Sequence, residues 1–213
     1  YASLQYHTPE LPFGTKISLA YGQQKSDGQS GNTKLIKNFC DNNKIFFIED
    51  VSQAHGAYFE NSRLGTYGDI SCFSCYPTKN LGAIGDAGLI TTNKKELFKK
   101  IKALREYGWS EKRYVSNLAG RNSRLDELQA AVLRVKLKSL DKLNKKRQEI
   151  AATYTEFLKD FDCIKTPEIR EKSTHVFHLY VISLKNRDNL IDFLKSKNIF
   201  PGIHYPIPIH LQP

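Results

Sequence analysis

The chain has 213 residues, 40% of them hydrophobic and 25% charged. That length suits one large domain or a domain with a smaller lobe, and it can bury a core without disulfide or metal staples. The composition excludes a disordered chain, a collagen and a coiled-coil rod, and the net charge of +10 points to anionic partners, phosphates on small molecules among them.

Residues 1–33 are polar and rich in Gly, Gln and Ser, with a short apolar stretch at Ile17–Tyr21. They read as loop, strand, loop. Lys34–Asn42 reads as a short helix. Lys44–Glu49 reads as a buried strand, apolar on both faces as parallel strands are. Asp69–Tyr76 and Ala87–Thr92 are two further strands, and Lys94–Tyr107 is a helix that stops before Gly108. The basic run from Lys94 to Arg113 reads as a solvated helix face with Lys in its last turns. Arg124–Leu140 gives the clearest helical pattern, with Leu125, Leu128, Val132, Val135 and, slightly off the stripe, Ala131 on one face. Asp141–Leu158 follows as a second long helix with Leu143, Ile150, Tyr154 and Phe157 apolar. Pro167 and the charged stretch Glu168–Lys172 mark a linker. A strand at His175–Leu184, a helix at Asp188–Ser196 and an extended tail at Phe200–Pro213 complete the chain. The expected fold class is α/β: a mainly parallel sheet with helices on both faces over residues 1–135, then a long connecting helix and a small α+β lobe over residues 136–213.

The longest purely apolar run, Ile45–Ile48, is too short to cross a membrane. The first 15 residues lack a basic start followed by an apolar core, so no signal peptide is expected. Four cysteines are too few for a disulfide scaffold at this length, which makes a reducing, cytoplasmic compartment the default. The chain opens at Tyr1 and contains no Met, which points to a processed chain or a fragment.

Several short motifs carry little. Cys72 and Cys75 match C-x-x-C, but they lie in an expected strand rather than at a helix N-terminus, and their spacing sends them to opposite faces. His175 and His178 also point to opposite faces, and His204 and His210 sit in a Pro-rich loop, so no metal site is expected. No dinucleotide fingerprint, Walker A motif or nucleophile elbow occurs. No nucleic-acid recognition motif accompanies the basic charge.

The stretch from Phe47 to Gly88 carries more. It contains Glu49-Asp50-Val51-Ser52-Gln53-Ala54-His55-Gly56, then Gly65-Thr66-Tyr67-Gly68-Asp69, then Phe73-Ser74-Cys75-Tyr76-Pro77-Thr78-Lys79-Asn80-Leu81-Gly82-Ala83-Ile84-Gly85-Asp86-Ala87-Gly88. Asp50 falls at the end of a buried strand, where α/β folds place ligand groups. Lys79 follows a buried strand and a Pro in a turn-rich loop. A Lys held near apolar walls has its charged form disfavoured, leaving its amine free to attack a carbonyl. A carboxylate facing a pyridinium nitrogen is the recurrent partner of such a Lys in pyridoxal phosphate (PLP) enzymes.

The whole string resembles the DegT/DnrJ/EryC1/StrS family of nucleotide-sugar aminotransferases, which have the aspartate-aminotransferase-like fold type I. That family writes E-D-x-x-Q-A-x-G, then G-x-x-G-D, then F-S-F/C-x-x-x-K-x-L-G-x-x-G-D-x-G, and every fixed position is met here. Gly120–Ala131 is similar to the family's G-x-N-x-R-L-x-E-L-Q-A-A, and Ile203–His210 to its substrate-proximal loop. The resemblance runs from about Thr15 to Pro213. Family members are longer, so the chain looks truncated at both ends.

The resemblance implies roles residue by residue. Lys79 would bind PLP covalently and shuttle protons. Asp50 would hold the pyridine nitrogen protonated, Gln53 would lie close to the ring, and Ser74 would bind the phosphate. Asn122 would reach the phosphate of a neighbouring subunit, making the active unit a homodimer. His55, His204, Tyr205 and His210 would face substrate. An amino acid, expected to be L-glutamate, would donate the amino group, and a nucleotide-linked keto-sugar would accept it. The loop His204-Tyr205-Pro206-Ile207-Pro208-Ile209-His210 resembles members that aminate C-3, which points to a dTDP-3-keto-6-deoxyhexose. Two alternatives stand beside this one. A related sugar dehydratase, using pyridoxamine phosphate, carries His in place of Lys79. A non-catalytic remnant of the fold would fit the short chain but not the unbroken set Asp50, Gln53, Ser74, Lys79 and Asn122.

Overall fold

The structure, a computed structural model, describes residues 17–19, 33–109 and 114–213. Residues 1–16, the end of the first expected strand at Ala20 and Tyr21, and Lys112 and Arg113 of the basic run lie outside the described residues.

Among the described residues, four strands form one sheet in the order β1 (Ile17–Leu19), β2 (Phe46–Asp50), β5 (Ile70–Ser74), β6 (Gly88–Thr91). The first three run parallel and β6 is antiparallel to β5. Along β2, Phe47 and Glu49 are buried, whereas Phe46 and Ile48 are half-buried. One face of the strand is therefore covered more completely than the two-faced apolar reading expected. Helix α1 (Thr33–Asn42) packs against β2 and buries Cys40. A two-stranded hairpin, β3 (Tyr58–Phe59) and β4 (Ser62–Arg63), was not expected from the sequence, because two-residue strands leave no periodicity to read.

Asp69 ties this sheet together. Its Oδ2 accepts the Phe47 amide at 2.8 Å, and its own amide donates to the Phe47 carbonyl at 2.8 Å. Its carbonyl accepts the Thr92 hydroxyl at 2.6 Å, and Lys94 Nζ lies 2.6 Å from Oδ1. One buried side chain thus joins β2 to the chain beyond β6.

Helix α2 (Lys95–Arg105) buries none of its residues, in keeping with a solvated basic helix. Helix α3 spans Glu127–Leu137 and α4 spans Leu140–Leu158. The expected stripe on α3 is only partly the covered one. Leu125, just before the helix, packs against the core cluster and Val132 is half-buried, but Leu128 and Val135 are 66% and 69% exposed, while Leu133, off the stripe, is buried. The docking face is instead Gln129, Leu133 and Lys136, spaced four and three apart. Gln129 Oε1 accepts the Ile84 amide at 2.9 Å, and Lys136 Nζ donates to the Gly82 carbonyl at 2.5 Å. Between these polar contacts, Leu133 joins Cys75, Leu81, Ala83 and Leu140 in the core cluster. On α4 the expected apolar residues Leu143, Ile150, Tyr154 and Phe157 are likewise exposed, and the buried ones are Leu140, Asn144 and Ala151. Its inner face is polar because it serves main-chain carbonyls. Arg147 donates to those of Phe177 and His178, and Gln148 to that of His175.

Those bonds explain a further difference. The segment 175–184, expected as a strand, contains no regular strand. Side chains of α4 take up its carbonyls in place of a neighbouring strand. It makes only isolated pairings nearby, Ser173 with Phe59 and Ser183 with Lys165.

The chain divides into two compact units, residues up to Ala152 with Glu168–Leu179, and Thr153–Pro167 with Tyr180–Pro213. The division falls inside α4, whereas the sequence put a boundary at 135/136. In the second unit the Tyr154 and Tyr180 rings lie 5.2 Å apart, and Thr155 Oγ1 meets the Tyr180 hydroxyl at 2.8 Å. Helix α5 (Arg187–Ser196) and a terminal 3-10 turn (Ile209–Leu211) complete it.

Candidate active site

The C-terminal ends of β2 and β5 lie side by side, with Asp50 paired to Cys72 in register. Asp50 is exposed, and its Oδ1 accepts the Ser52 amide at 3.0 Å, which starts the turn after the strand. Gln53 is half-buried within that turn. Ser74, half-buried, ends β5, and its Oγ accepts the Tyr76 amide at 3.4 Å. Burial raises the Cys72 thiol above its ordinary pKa, and the nearby Asp50 charge adds to that; burial alone raises Cys75. Both shifts run away from the thiolate form that redox chemistry uses.

Adjacent to Asp50 on β2, Glu49 turns to the opposite face and is buried. Its carboxylate accepts the amides of Gly65 at 2.9 Å, Tyr67 at 2.8 Å and Gly68 at 2.6 Å, and the Ser71 hydroxyl at 3.2 Å. The two halves of the motif, E-D and G-x-x-G-D, are thus one structural unit. Glu49 organises the glycine loop, leaving Asp50 at the strand end.

Lys79 is half-buried in the turn after β5, its amide bonded to the Tyr76 carbonyl at 2.9 Å. The turn closes tightly. A Cβ on Gly82 would lie 2.3 Å from the Pro77 carbonyl oxygen, so only glycine fits this approach. The Ala83 amide then returns to the Cys75 carbonyl at 2.8 Å. Among the described residues no carboxylate pairs with Lys79.

His55 is 2% exposed, its ring 5.7 Å from that of Phe73. Neither ring nitrogen has a hydrogen-bond partner among the described residues. Burial lowers the pKa of the ring, and the neighbouring Lys79 charge lowers it further, outweighing the Ser74 backbone, which lies close enough to favour the protonated form. Asp50, His55, Ser74 and Lys79 thus gather around the ends of β2 and β5, with Gln53 in the turn between the first two.

Asn122 is exposed on the segment before α3 and bridges Glu106 through its main chain. His204, Tyr205 and His210 belong to the second unit, where the His204 and Tyr205 rings stand 5.4 Å apart, nearly perpendicular. Tyr107 packs between Trp109 and the Arg124 guanidinium. Sequence reasoning missed Asn144, buried on α4, whose Nδ2 donates to the His55 carbonyl at 2.8 Å and whose Oδ1 accepts from Asn80 Nδ2 at 2.8 Å. An Asn on the polar side of an apparently amphipathic helix gives no signal of burial. Among the described residues no group of three or more His, Cys, Asp or Glu gathers as a metal cage, and no helix is long and apolar enough to cross a membrane.

A dTDP-3-amino-3,6-dideoxy-alpha-D-galactopyranose transaminase of Aneurinibacillus thermoaerophilus is 46% identical over 185 residues, 87% of this chain and 50% of that protein. A dTDP-3-amino-3,4,6-trideoxy-alpha-D-glucose transaminase of Streptomyces venezuelae is 38% identical over 186 residues, 87% of this chain and 49% of that protein. Among solved structures, DesV of S. venezuelae in complex with a ketimine intermediate superposes with a TM-score of 0.82 at 38% identity, covering 87% of this chain and 50% of that one. The chain therefore spans about half the length of the relatives it matches. The fold is α/β, that of the fold type I PLP transferases. With the model of the DegT/DnrJ/EryC1/StrS aminotransferase family matching residues 25–213, the chain belongs to that family.

Proposed function

We propose that this chain carries the catalytic lysine face of a PLP-dependent aminotransferase acting on a nucleotide-linked keto-sugar. The observation that carries the reading is the convergence of Lys79, Asp50, Ser74 and His55 at the ends of two adjacent parallel strands. These residues fit PLP. An amine with no carboxylate partner among the described residues, a hydroxyl at a strand end and an exposed carboxylate match the aldehyde, phosphate and pyridine nitrogen. His55 is buried beside them, near the Ser74 main chain and the Lys79 charge.

PLP, when bound, supplies the electron sink that makes amino-group exchange possible. Lys79 would hold the cofactor through its carbonyl carbon, with loss of water, and would move the proton at the reacting carbon. Asp50 would keep a proton on the pyridine nitrogen, Ser74 would hold the phosphate, and Gln53 would face the ring. Asn122, exposed ahead of α3, reaches the site of a second subunit in a homodimer. The donor is L-glutamate and the acceptor a dTDP-3-keto-6-deoxyhexose, and the protein works in the cytoplasm. The matched transaminases, whose names describe dTDP-3-amino sugars, support the choice of nucleotide and ring position.

The test is a visible spectrum of the chain with added PLP, before and after borohydride, followed by peptide mass mapping. An absorption band that reduces to an adduct on Lys79 is expected. Lys79→Ala should abolish capture and transamination while leaving the melting temperature within a few degrees of the parent. An adduct on another lysine, or undiminished turnover by Lys79→Ala, would reject the assignment.

A further inference from the structure

Asn80 follows Lys79 directly, and both hydrogens of its side-chain amide are committed. Nδ2 donates to Asn144 Oδ1 and to the Val176 carbonyl, each at 2.8 Å. Asn144, 5% exposed, donates its own Nδ2 to the His55 carbonyl. Main-chain carbonyls at both ends fix the orientation of both amides, because a carbonyl can only accept. The bonds therefore run in one sense, from Asn80 to Val176 and Asn144 and from Asn144 to His55. Gly56 leaves room for the bridge: a Cβ there would lie 2.9 Å from Asn144 Nδ2.

Both turns joined in this way need an external hold. Tyr76, Pro77 and Thr78, just before Lys79, are all exposed. The His55 ring meets Phe73 and the Ser74 main chain, so its place also depends on how its own main chain is held. A hydrocarbon pair of similar size would fill the space between the turns but leave two carbonyls without donors. A carboxylate at either position would set oxygen against oxygen. Only two amides supply a donor at each end and an acceptor between them.

We propose that the Asn80–Asn144 amide pair is a positioning device for Lys79, clamping the turn that carries the lysine to the turn that carries His55. The clamp holds the amine and the imidazole at a fixed separation over the ends of β2 and β5. This deepens the reading of Lys79 as the cofactor lysine and rests on it.

The test uses the full chain with Asn80→Ala, Asn144→Leu and the double substitution, and Cys40→Ala, buried on α1, as a control that loosens the core without touching the clamp or the lysine turn. Lysines are acylated competitively with acetic anhydride in the absence of PLP and quantified by peptide mapping, with exposed Lys146 on α4 as internal reference. The Lys79 to Lys146 reactivity ratio should rise severalfold, about 3- to 10-fold, in each single variant and no further in the double, since both act through one bond. Cys40→Ala should leave the ratio unchanged. Covalent capture of added PLP should slow by about tenfold in the same three variants. A ratio within twofold of the parent in all three, or a double-variant effect equal to the product of the singles, would overturn the clamp. Should Asn144→Leu fail to fold, Asn80→Ala, placed in a half-buried turn, decides alone. If the parent never captures PLP, the reading of Lys79 fails, while the labelling ratio still decides whether the clamp exists.

Discussion

Glu49 holds the Gly65–Gly68 loop through three main-chain amides and one hydroxyl. Glu49→Gln turns an NH2 group toward donors that need an acceptor, and this should cost roughly 2–4 kcal/mol, read as a lowered urea midpoint. An unchanged midpoint would show that the loop holds its shape without the charge. Acid should act on three other side chains, among them His175, whose burial also holds its ring below the ordinary 6.5. Burial alone would raise the Asp69 pKa, but the Lys94 ammonium, the Phe47 amide and the charge of Lys37 outweigh it and leave the carboxyl below its ordinary value of 3.8. The stability it contributes is complete above that value and is lost as pH falls through the lower folded one. His55 also sits below its ordinary 6.5, because burial and Lys79 disfavour the charged ring. The unfolded chain therefore takes up that proton first, and stability declines as pH drops below 6.5. Melting temperature against pH should show two declining limbs. His55→Gln should make the upper limb shallower, His175 supplying what remains of it, and Asp69→Asn should flatten the lower; a profile unchanged by either substitution would contradict these assignments.

At the level of helices and strands, the sequence and the structure part where polar contacts replace apolar ones. The five-residue strands β2 and β5 and all five helices stand close to where their patterns placed them, since runs such as Phe46-Phe47-Ile48 and the breaks at Gly108 and Pro167 are local signals. The faces of α3 and α4 were not legible. Periodicity scores hydrophobicity, yet α3 docks through Gln129 and Lys136, and α4 through Asn144, Arg147 and Gln148. The grouping of Asp50, Ser74 and Lys79 at adjacent strand ends was legible because each ends or follows a strand with a strong local pattern. Asn144 was not, because its partners His55 and Asn80 are 89 and 64 residues away. The two readings of α3 predict different mutational costs. Leu133→Ala should lose about 2–5 kcal/mol, whereas Leu128→Ala should stay within about 0.5 kcal/mol of the parent. Chemical denaturation separates them, and a large loss at Leu128 would favour the face read from the sequence.

At the scale of the whole molecule, much apolar surface remains open. Leu128, Val135 and Leu137 on α3, Leu89 and Ile90 on β6, and Leu35 and Phe39 on α1 are all exposed. Patches of this kind on a folded chain bind hydrophobic dyes. Anilinonaphthalene sulfonate should therefore brighten strongly at neutral pH, where the near-ultraviolet dichroism still reports fixed aromatic packing. A weak signal would mean that these side chains are covered in solution. The order within the chain depends on something much smaller. Successive side chains of a strand point to opposite faces, and β2 ends in two acids, Glu49 facing the interior loop and Asp50 ending beside Cys72. The dipeptide acts as a parity mark. Inserting or deleting one residue between Phe46 and Ile48 would leave the composition almost unchanged. It would also exchange the two carboxylates, sending the loop's organiser outward and the site's acid inward, and so turn a one-residue length error into loss of both architecture and chemistry.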